Sequence, residues 1–417
     1  MRFFTRFYNI LYLLYKFNML DYLSYTLFFG ILILFIIYIY IRLKFGFWAL
    51  QPVFHIYDVC YMFKAYGIID DSLPQKNKYT NFRDIETITY TDLTSIQIQR
   101  FTNLIKAHYL QNKDNIFTPR SNNITPYFNC HNDKAFVSFY NEDNPMIDLK
   151  KGTVISDKKP VGVITSRPIY VVINNGHREA QFAAYYIDYL CVDKLNRKKG
   201  IGQQLIQTHH YNQRRINKNV VVSLFKRESK LNGIVPLCVY STYGFPVKTW
   251  TKPFDLTTDY SLIEVNPQNY HYLLNFIKEY GKKFDIVINT EVTNIIELIK
   301  TKNIFVYTII VDDKIICAYF FRKSCIQIEK EMEVLTCFAS ISNANDNIFI
   351  QGFKISFWKI ASENYFGFCT IEDISDNNII INNIKSKTPP LITRPTSYFF
   401  YNFAYPTFNS NKVLILN

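Results

Sequence analysis

The pattern of apolar and polar positions changes sharply along the chain. Tyr22 to Ile41 (YLSYTLFFGILILFIIYIYI) carries no charge, with Asp21 before it and Arg42 after it. As a helix rising about 1.5 Å per residue, this run spans about 30 Å, the hydrocarbon thickness of a bilayer. Tyr22, Tyr25, Tyr38 and Tyr40 stand near its ends, where aromatic rings favour the membrane interface. The run is longer than the apolar part of a signal peptide, and no small-residue cleavage site follows it. Residues 3–20 are aromatic and Leu-rich and fit an amphipathic segment lying along the interface. Arg2, Arg6 and Lys16 lie on one side of the run, Arg42 and Lys44 on the other, so positive charge sets no orientation.

Beyond residue 44 the pattern alternates between strand and helix periods. Strands are predicted at Pro160–Thr165, Ile169–Ile173, Ala183–Val192, Val220–Leu224, Ile304–Val311, Ile315–Phe321 and Val413–Leu416. Helices are predicted at Leu93–Leu110, Gly202–Arg215, Pro267–Tyr280, Val292–Thr301 and Phe353–Ser362. This order predicts an α/β fold in two halves that meet near residues 245–265. The expected organisation is a membrane segment at 1–43, one half at 44–250 and a second at 251–417.

Composition narrows the class. Of 417 residues 48% are hydrophobic and only 19% charged, which excludes a disordered chain, a collagen and a coiled coil. The net charge of +13 suits a phosphate-bearing ligand, an anionic membrane face or a nucleic acid. The abundance of Ile, Asn, Lys, Tyr and Phe points equally to an AT-rich coding bias, and with it to a large DNA virus or a protist as source. The basic residues are dispersed, and no zinc finger, basic helix or RNA motif occurs, so nucleic acid is not expected. The eight cysteines form no CxxC pair, and no HExxH occurs. No metal is expected, and a reducing compartment is. His209 and His210 are adjacent, and helical neighbours point about 100° apart, which fits a polar face better than a metal site.

The stretch Tyr186–Gln204 (YIDYLCVDKLNRKKGIGQQ) carries the chemistry. A β-branched and aromatic strand runs into Arg197-Lys198-Lys199-Gly200-Ile201-Gly202, and a helix follows. Backbone N–H groups at a helix start make an anion site, and glycine permits close approach. Arg-x-x-Gly-x-Gly after a strand is the acyl-CoA pyrophosphate cradle of GNAT-type acyltransferases, although the motif alone also fits a solvated turn. No P-loop and no dinucleotide-binding glycine fingerprint is present.

Five strings, in order, resemble segments of the eukaryotic N-myristoyltransferase family. Phe47-Trp48-Ala49-Leu50-Gln51-Pro52-Val53 is similar to FWxTQPV, and Tyr109–Phe117 (YLQNKDNIF) to YVEDDDNMF. Pro160–Ile164 resembles LVGFI, and Ile187–Lys194 (IDYLCVDK) resembles INFLCVHK. Tyr398–Phe403 followed by Val413–Asn417 resembles YYLYNW and a short C-terminal apolar strand. The resemblance covers residues 44–417. It implies two tandem GNAT-like halves with pseudo-two-fold symmetry, preceded here by a transmembrane helix. It implies transfer of a tetradecanoyl group from myristoyl-CoA, a co-substrate rather than a permanently bound cofactor, to an N-terminal glycine of a protein.

By position, the resemblance assigns the oxyanion hole to the backbone N–H groups of Tyr189 and Leu190, which a bulged strand can free. Gly46, Phe47 and Trp48 lie on the CoA, and Cys191 and Val192 line its strand. Lys198, Gly200, Ile201 and Gly202 cradle the phosphates, with Arg197 adding charge. Cys191 lies in an apolar strand and reads as a packed side chain, not a nucleophile. The base is the α-carboxylate of the last residue, Asn417, at the end of an apolar strand. Tyr109, Asp114, Ser223 and Tyr240 fall on the acceptor side.

The departures also lie on the acceptor side. The family's acidic loop becomes Gln111-Asn112-Lys113-Asp114, which disfavours acceptors with lysine near the N-terminus. The segment YSFYN falls on Thr336–Ser340 without its tyrosines, and CRYWH on Cys238–Thr242 without its histidine. Two other readings stay open: a GNAT enzyme moving a short acyl group, and a non-catalytic scaffold on a membrane. The Phe47-Trp48 segment argues against the first, and the lost acidic loop favours the second. Because acyl-CoA is cytosolic, the expected location is a single-pass anchor with the catalytic part facing the cytoplasm.

Overall fold

The computed structural model describes residues 2–111, 115–147, 154–174, 179–228, 233–247, 250–328 and 332–417. They divide into two compact units, Met1–Pro52 and Val53–Asn417.

The first unit is dominated by α1 (Arg2–Phe45), one unbroken helix. The helix continues through Asp21 without a break. Among the described residues it is the one helix long and apolar enough to cross a membrane, over Asp21–Phe45. Its apolar side chains face outward, from Leu23 to Tyr40. Gly46 ends it in the left-handed region (φ 42°), its N–H donating to the Arg42 carbonyl at 3.2 Å.

The second unit opens with β1 (Gly67–Ile68), β2 (Ile85–Thr89), α2 (Ser95–His108) and β3 (Asn115–Phe117). Thr94 and Gln97 form a capping box at the start of α2. A meander follows, of β4 (Phe136–Ile147), β5 (Val154–Ile173) and β6 (Ala180–Val192), then α3 (Ile201–Ile216) and β7 (Val222–Glu228). The connecting elements are β8 (Cys238–Pro246), β9 (Ser261–Glu264), α4 (Tyr270–Tyr280), β10 (Ile286–Asn289) and α5 (Val292–Lys300). A second meander of β11 (Ile304–Val311), β12 (Lys314–Ile328) and β13 (Met332–Ser342) leads to α6 (Asp346–Asn364) and β14 (Phe366–Glu372). The remaining elements are α7 (Asn377–Lys385), β15 (Ile392–Tyr401), β16 (Phe403–Ala404) and β17 (Val413–Leu416).

The two meanders repeat one plan. In each, three antiparallel strands are followed by a helix and a fourth strand parallel to the third: β6 with β7, and β13 with β14. The halves then exchange strands. β8, from the first half, pairs with β14, and β15, from the second, pairs with β7, giving the central order β7-β15-β8-β14 in one continuous sheet. β17 lies parallel to β10 with all four residues buried.

This is the mixed α/β fold in two halves that the element order predicts. Strand pairing extends several predicted segments. Pro160–Thr165 and Ile169–Ile173 are parts of one strand, β5, whose ends are held by β4 and β10. α6 starts well before Phe353, because the Asn345 side chain accepts from the Ile348 N–H and fixes an earlier cap. His209 is not on a polar face: it is 2% exposed, bonded on either side to Ser138 and Ser166.

Candidate active site

The site follows from where two parallel strands part. β6 and β7 pair only from Ala184↔Val222 to Ile187↔Phe225. Beyond Ile187, β6 keeps only β5 as partner, and β7 turns to β15. At the parting point the β5–β6 register shifts, from Ser166↔Ile187 to Ile164↔Leu190, so Thr165 faces both Asp188 and Tyr189. This is a β-bulge, one extra residue on β6. The Tyr189 N–H donates to Thr165 Oγ1 at 3.1 Å. The bulge therefore lies at Asp188 and Tyr189, and Leu190 is back in register opposite Ile164.

The gap between the strands is a cavity of about 510 Å³. Ile187, Asp188 and Tyr189 line it from β6, and Lys226, Arg227 and Glu228 from β7. The second half contributes Arg322 from β12 and Glu372 from β14, and Tyr109 closes one side. The Tyr189 ring is held edge-on by Tyr109 (5.2 Å) and Phe101 (6.0 Å).

Charges in this cavity are paired across elements. Arg167, 1% exposed, donates from Nε to Asp188 Oδ2 at 2.7 Å and lies over the rings of Tyr127 and Tyr186. Burial raises the Asp188 carboxyl above its usual range, against the pull of Arg167 and Arg322. Glu372 accepts from Lys226 Nζ at 2.8 Å and from the Tyr240 hydroxyl at 2.5 Å. Burial pushes its carboxyl up, but Lys226 and Arg322 outweigh it and hold it below the usual range. Burial, then Glu372, raises the Tyr240 hydroxyl well above its ordinary value.

From the bulge, β6 runs through Cys191 and Val192 into the basic loop. Cys191 is 4% exposed and packs with Leu104, Val163 and Phe101. Burial pushes its thiol up to about 12, which suits a packed residue and not a thiolate. Lys198 (φ 67°) and Gly200 (φ 80°) are both left-handed, and α3 begins at Ile201 with Gly200 as its cap. The first N–H groups of this 16-residue helix have no partner within the helix, as at any helix start. The Arg197 guanidinium donates to the carbonyls of Val192 and His108, so it ties the loop to α2.

The remaining predicted residues are placed as follows. Asn417 is 1% exposed, and Arg322 Nη2 donates to its backbone oxygen at 2.6 Å. Asn417 does not itself line the cavity; Arg322 does. Ser223 is buried on β7, opposite Tyr401 and Tyr185, and also lies outside the lining. Tyr240 reaches the cavity through Glu372. Asp114 lies outside the described residues. Gly46, Phe47 and Trp48 belong to the first unit, where the two rings meet edge-on at 5.3 Å. Sequence reasoning missed Asp188, Arg167, Arg322, Lys226 and Glu372 as site residues. Their signal was a charge set inside an apolar strand, which folding tolerates only when the charge is paired.

No profile of a known protein family matches the sequence, and no curated protein matches it. Solved structures do. A crystal structure of Saccharomyces cerevisiae N-myristoyltransferase with bound myristoyl-CoA superimposes with a TM-score of 0.67 at 13% identity, over 88% of this chain and 94% of the yeast chain. A second yeast structure with bound myristoyl-CoA gives 0.67 at 14% identity, over 88% and 89%. A third, with myristoyl-CoA and inhibitors, gives 0.64 at 14% identity, over 87% and 91%. With its repeated meanders, exchanged strands and bulged β6, the chain has the fold of N-myristoyltransferase.

Proposed function

We propose that the protein is an acyltransferase that moves a long-chain acyl group from acyl-CoA to the amine of an N-terminal glycine. The observation that carries this reading is the continuity of one strand-to-helix unit. A bulge at Asp188–Tyr189 faces a cavity, and a left-handed loop with a helix start follows on the same strand, within a fold whose yeast examples hold myristoyl-CoA.

The parts have distinct tasks. Lys198, Gly200, Ile201 and Gly202 hold the CoA phosphates by backbone N–H groups and helix polarity. The pantetheine follows β6 past Val192 and Cys191 toward the bulge. There the thioester oxygen meets the N–H groups of Tyr189 and Leu190. Thr165 Oγ1 already accepts from the Tyr189 N–H, so that N–H exchanges one acceptor for another. Tyr109 lines the acceptor side, and Tyr240 meets it through Glu372. Direct attack by the amine needs no acyl-enzyme. Asp21–Phe45 anchors the chain in a membrane, with the catalytic unit on the cytoplasmic side.

The test uses purified full-length protein, labelled myristoyl-CoA and a library of glycine-terminated peptides, with mass spectrometry of the acyl-CoA that copurifies. Amide-linked label and a copurifying long-chain acyl-CoA support the reading. Label transferred only from acetyl-CoA supports the short-acyl enzyme instead. No transfer across the library, with acyl-CoA still bound, supports the scaffold.

A further inference from the structure

We infer that the acceptor carries an acidic residue within about five positions of its N-terminal glycine, and that Arg227 selects it. This rests on the acyl-transfer reading above and names its substrate class.

The charges that line the cavity do not balance. Arg167, Lys226, Arg227, Arg322, Lys323 and Arg394 are cationic, and Asp188, Glu228 and Glu372 are anionic. Six against three leaves an excess of three positive charges among the described lining residues. Each carboxylate already has a cation: Arg167 on Asp188 at 2.7 Å, Lys226 on Glu372 at 2.8 Å and Arg394 on Glu228 at 3.8 Å. Lys323 reaches Glu333 at 3.4 Å, and Arg322 donates to the Asn417 backbone oxygen at 2.6 Å. Arg227 is left over: it is exposed and forms no ion pair among the described residues. Pairing is incomplete even for the buried cations, since Arg167 Nη1 and Arg322 Nε have no hydrogen-bond partner among the described residues. Gln111-Asn112-Lys113-Asp114, which follows the lining residue Leu110, carries no net charge to offset the excess.

An exposed arginine on an open surface is satisfied by water. Beside a cavity walled by protein its field is screened less. The reactive end of the acceptor is an ammonium, which the excess repels. The same field lowers the amine pKa and enlarges the neutral, nucleophilic fraction. A carboxylate further along the acceptor offsets the repulsion, and a guanidinium binds it through two parallel N–H donors. Reach limits where that carboxylate lies. Ile187 and Phe225 are the last paired residues of β6 and β7, and Tyr189 and Arg227 each stand two positions beyond them. Two strand residues cover about 7 Å, so the backbones at Tyr189 and Arg227 are at most about 18 Å apart, the span of roughly five extended residues.

The probes are glycine-terminated octapeptides of alanine and serine with one aspartate at a position from 2 to 6, each beside its asparagine and lysine counterparts. They are assayed with full-length protein and labelled myristoyl-CoA. At the best position, kcat/KM for the aspartate peptide is expected to exceed that for the asparagine peptide by roughly tenfold, mostly through KM, with the lysine peptide poorer still. Raising salt from about 0.05 M to about 0.5 M shrinks that ratio by about threefold or more. Arg227→Gln brings the ratio to within about twofold, Arg227→Lys keeps part of it, and Arg227→Glu turns the preference toward lysine. Each ratio is internal to one variant, so it reads selection and not folding. An aspartate preference below about twofold at every position in the wild-type chain overturns the inference and leaves the acyl-transfer reading standing. A preference that survives Arg227→Gln undiminished overturns the assignment to this residue. A wild-type chain that transfers nothing to any peptide overturns the acyl-transfer reading, and this inference with it.

Discussion

Arg322 Nη2 and the backbone oxygen of Asn417 are 2.6 Å apart, and this bond ties the strand β17 to β12. β17 hydrogen-bonds β10 on one side, so the Asn417 end depends on Arg322, whose guanidinium also lies over the Phe338 ring at 4.3 Å. Burial opposes the charge of Arg322, yet Tyr127, Glu372, Tyr398 and Tyr186 raise its pKa above the ordinary value. Arg322→Gln removes this donor from an oxygen of Asn417, a residue that is 1% exposed. Losing a hydrogen bond to a charged group costs roughly 1.5–3 kcal/mol. An unfolding free energy lowered by that amount is expected from urea titration, and Arg322→Lys should recover part of it. An unchanged midpoint would show that the pair does not hold the terminus.

Gly200 has φ 80°, a value that β-branched side chains avoid. Gly200→Val therefore costs about 1–2 kcal/mol of backbone strain or rotates the loop. Rotation turns the N–H groups at Lys198–Gly202 away from a shared centre. The expected outcome is a weakening of CoA binding by about tenfold in calorimetric titration, with thermal stability lowered by only a few degrees. Equal CoA affinity in the variant would move the phosphate site elsewhere.

His209 is buried between two hydroxyls, Ser138 Oγ at 2.8 Å and Ser166 Oγ at 2.9 Å. Burial pushes its pKa down to about 3. The folded state therefore binds this proton later than the unfolded chain, whose histidine titrates near 6.5. Stability is fully present above pH 6.5 and is lost as pH falls from there toward 3. By linkage the loss between pH 7 and pH 5 is about 2 kcal/mol from this residue. Unfolding at the two pH values checks it, and His209→Gln should flatten that part of the dependence.

Periodicity and continuous apolar runs found several elements, β11 and β17 among them although residues on both of their faces are buried. Ile304–Val311 and Val413–Leu416 have the predicted bounds, and α3 and α5 differ by one residue at their ends. β13, β14 and β15 escaped because central strands buried on both faces carry no alternation: Phe366–Glu372 reads FGFCTIE, with apolar residues at odd and even positions. The left-handed loop before α3 was legible because glycine and basic residues mark it locally. The cavity was not. Its charges come from five strands, and Arg167, Asp188, Arg322, Lys226 and Glu372 meet only through the strand exchange that sets β7, β15, β8 and β14 side by side. No spacing along the chain encodes that meeting.

The membrane segment offers a test that leaves the second unit untouched. Leu32 and Ile36 lie near the middle of Asp21–Phe45, and both are exposed. In a bilayer such exposure is satisfied by lipid, whereas in water so long an apolar surface drives aggregation. An aspartate at the centre of a spanning helix costs roughly 3 kcal/mol for insertion. Leu32→Asp with Ile36→Asp should therefore move the protein from the carbonate-resistant membrane fraction to the soluble one, while acyl-CoA binding by the second unit persists. If the double variant stays in the washed membranes, the helix is not what holds the protein there.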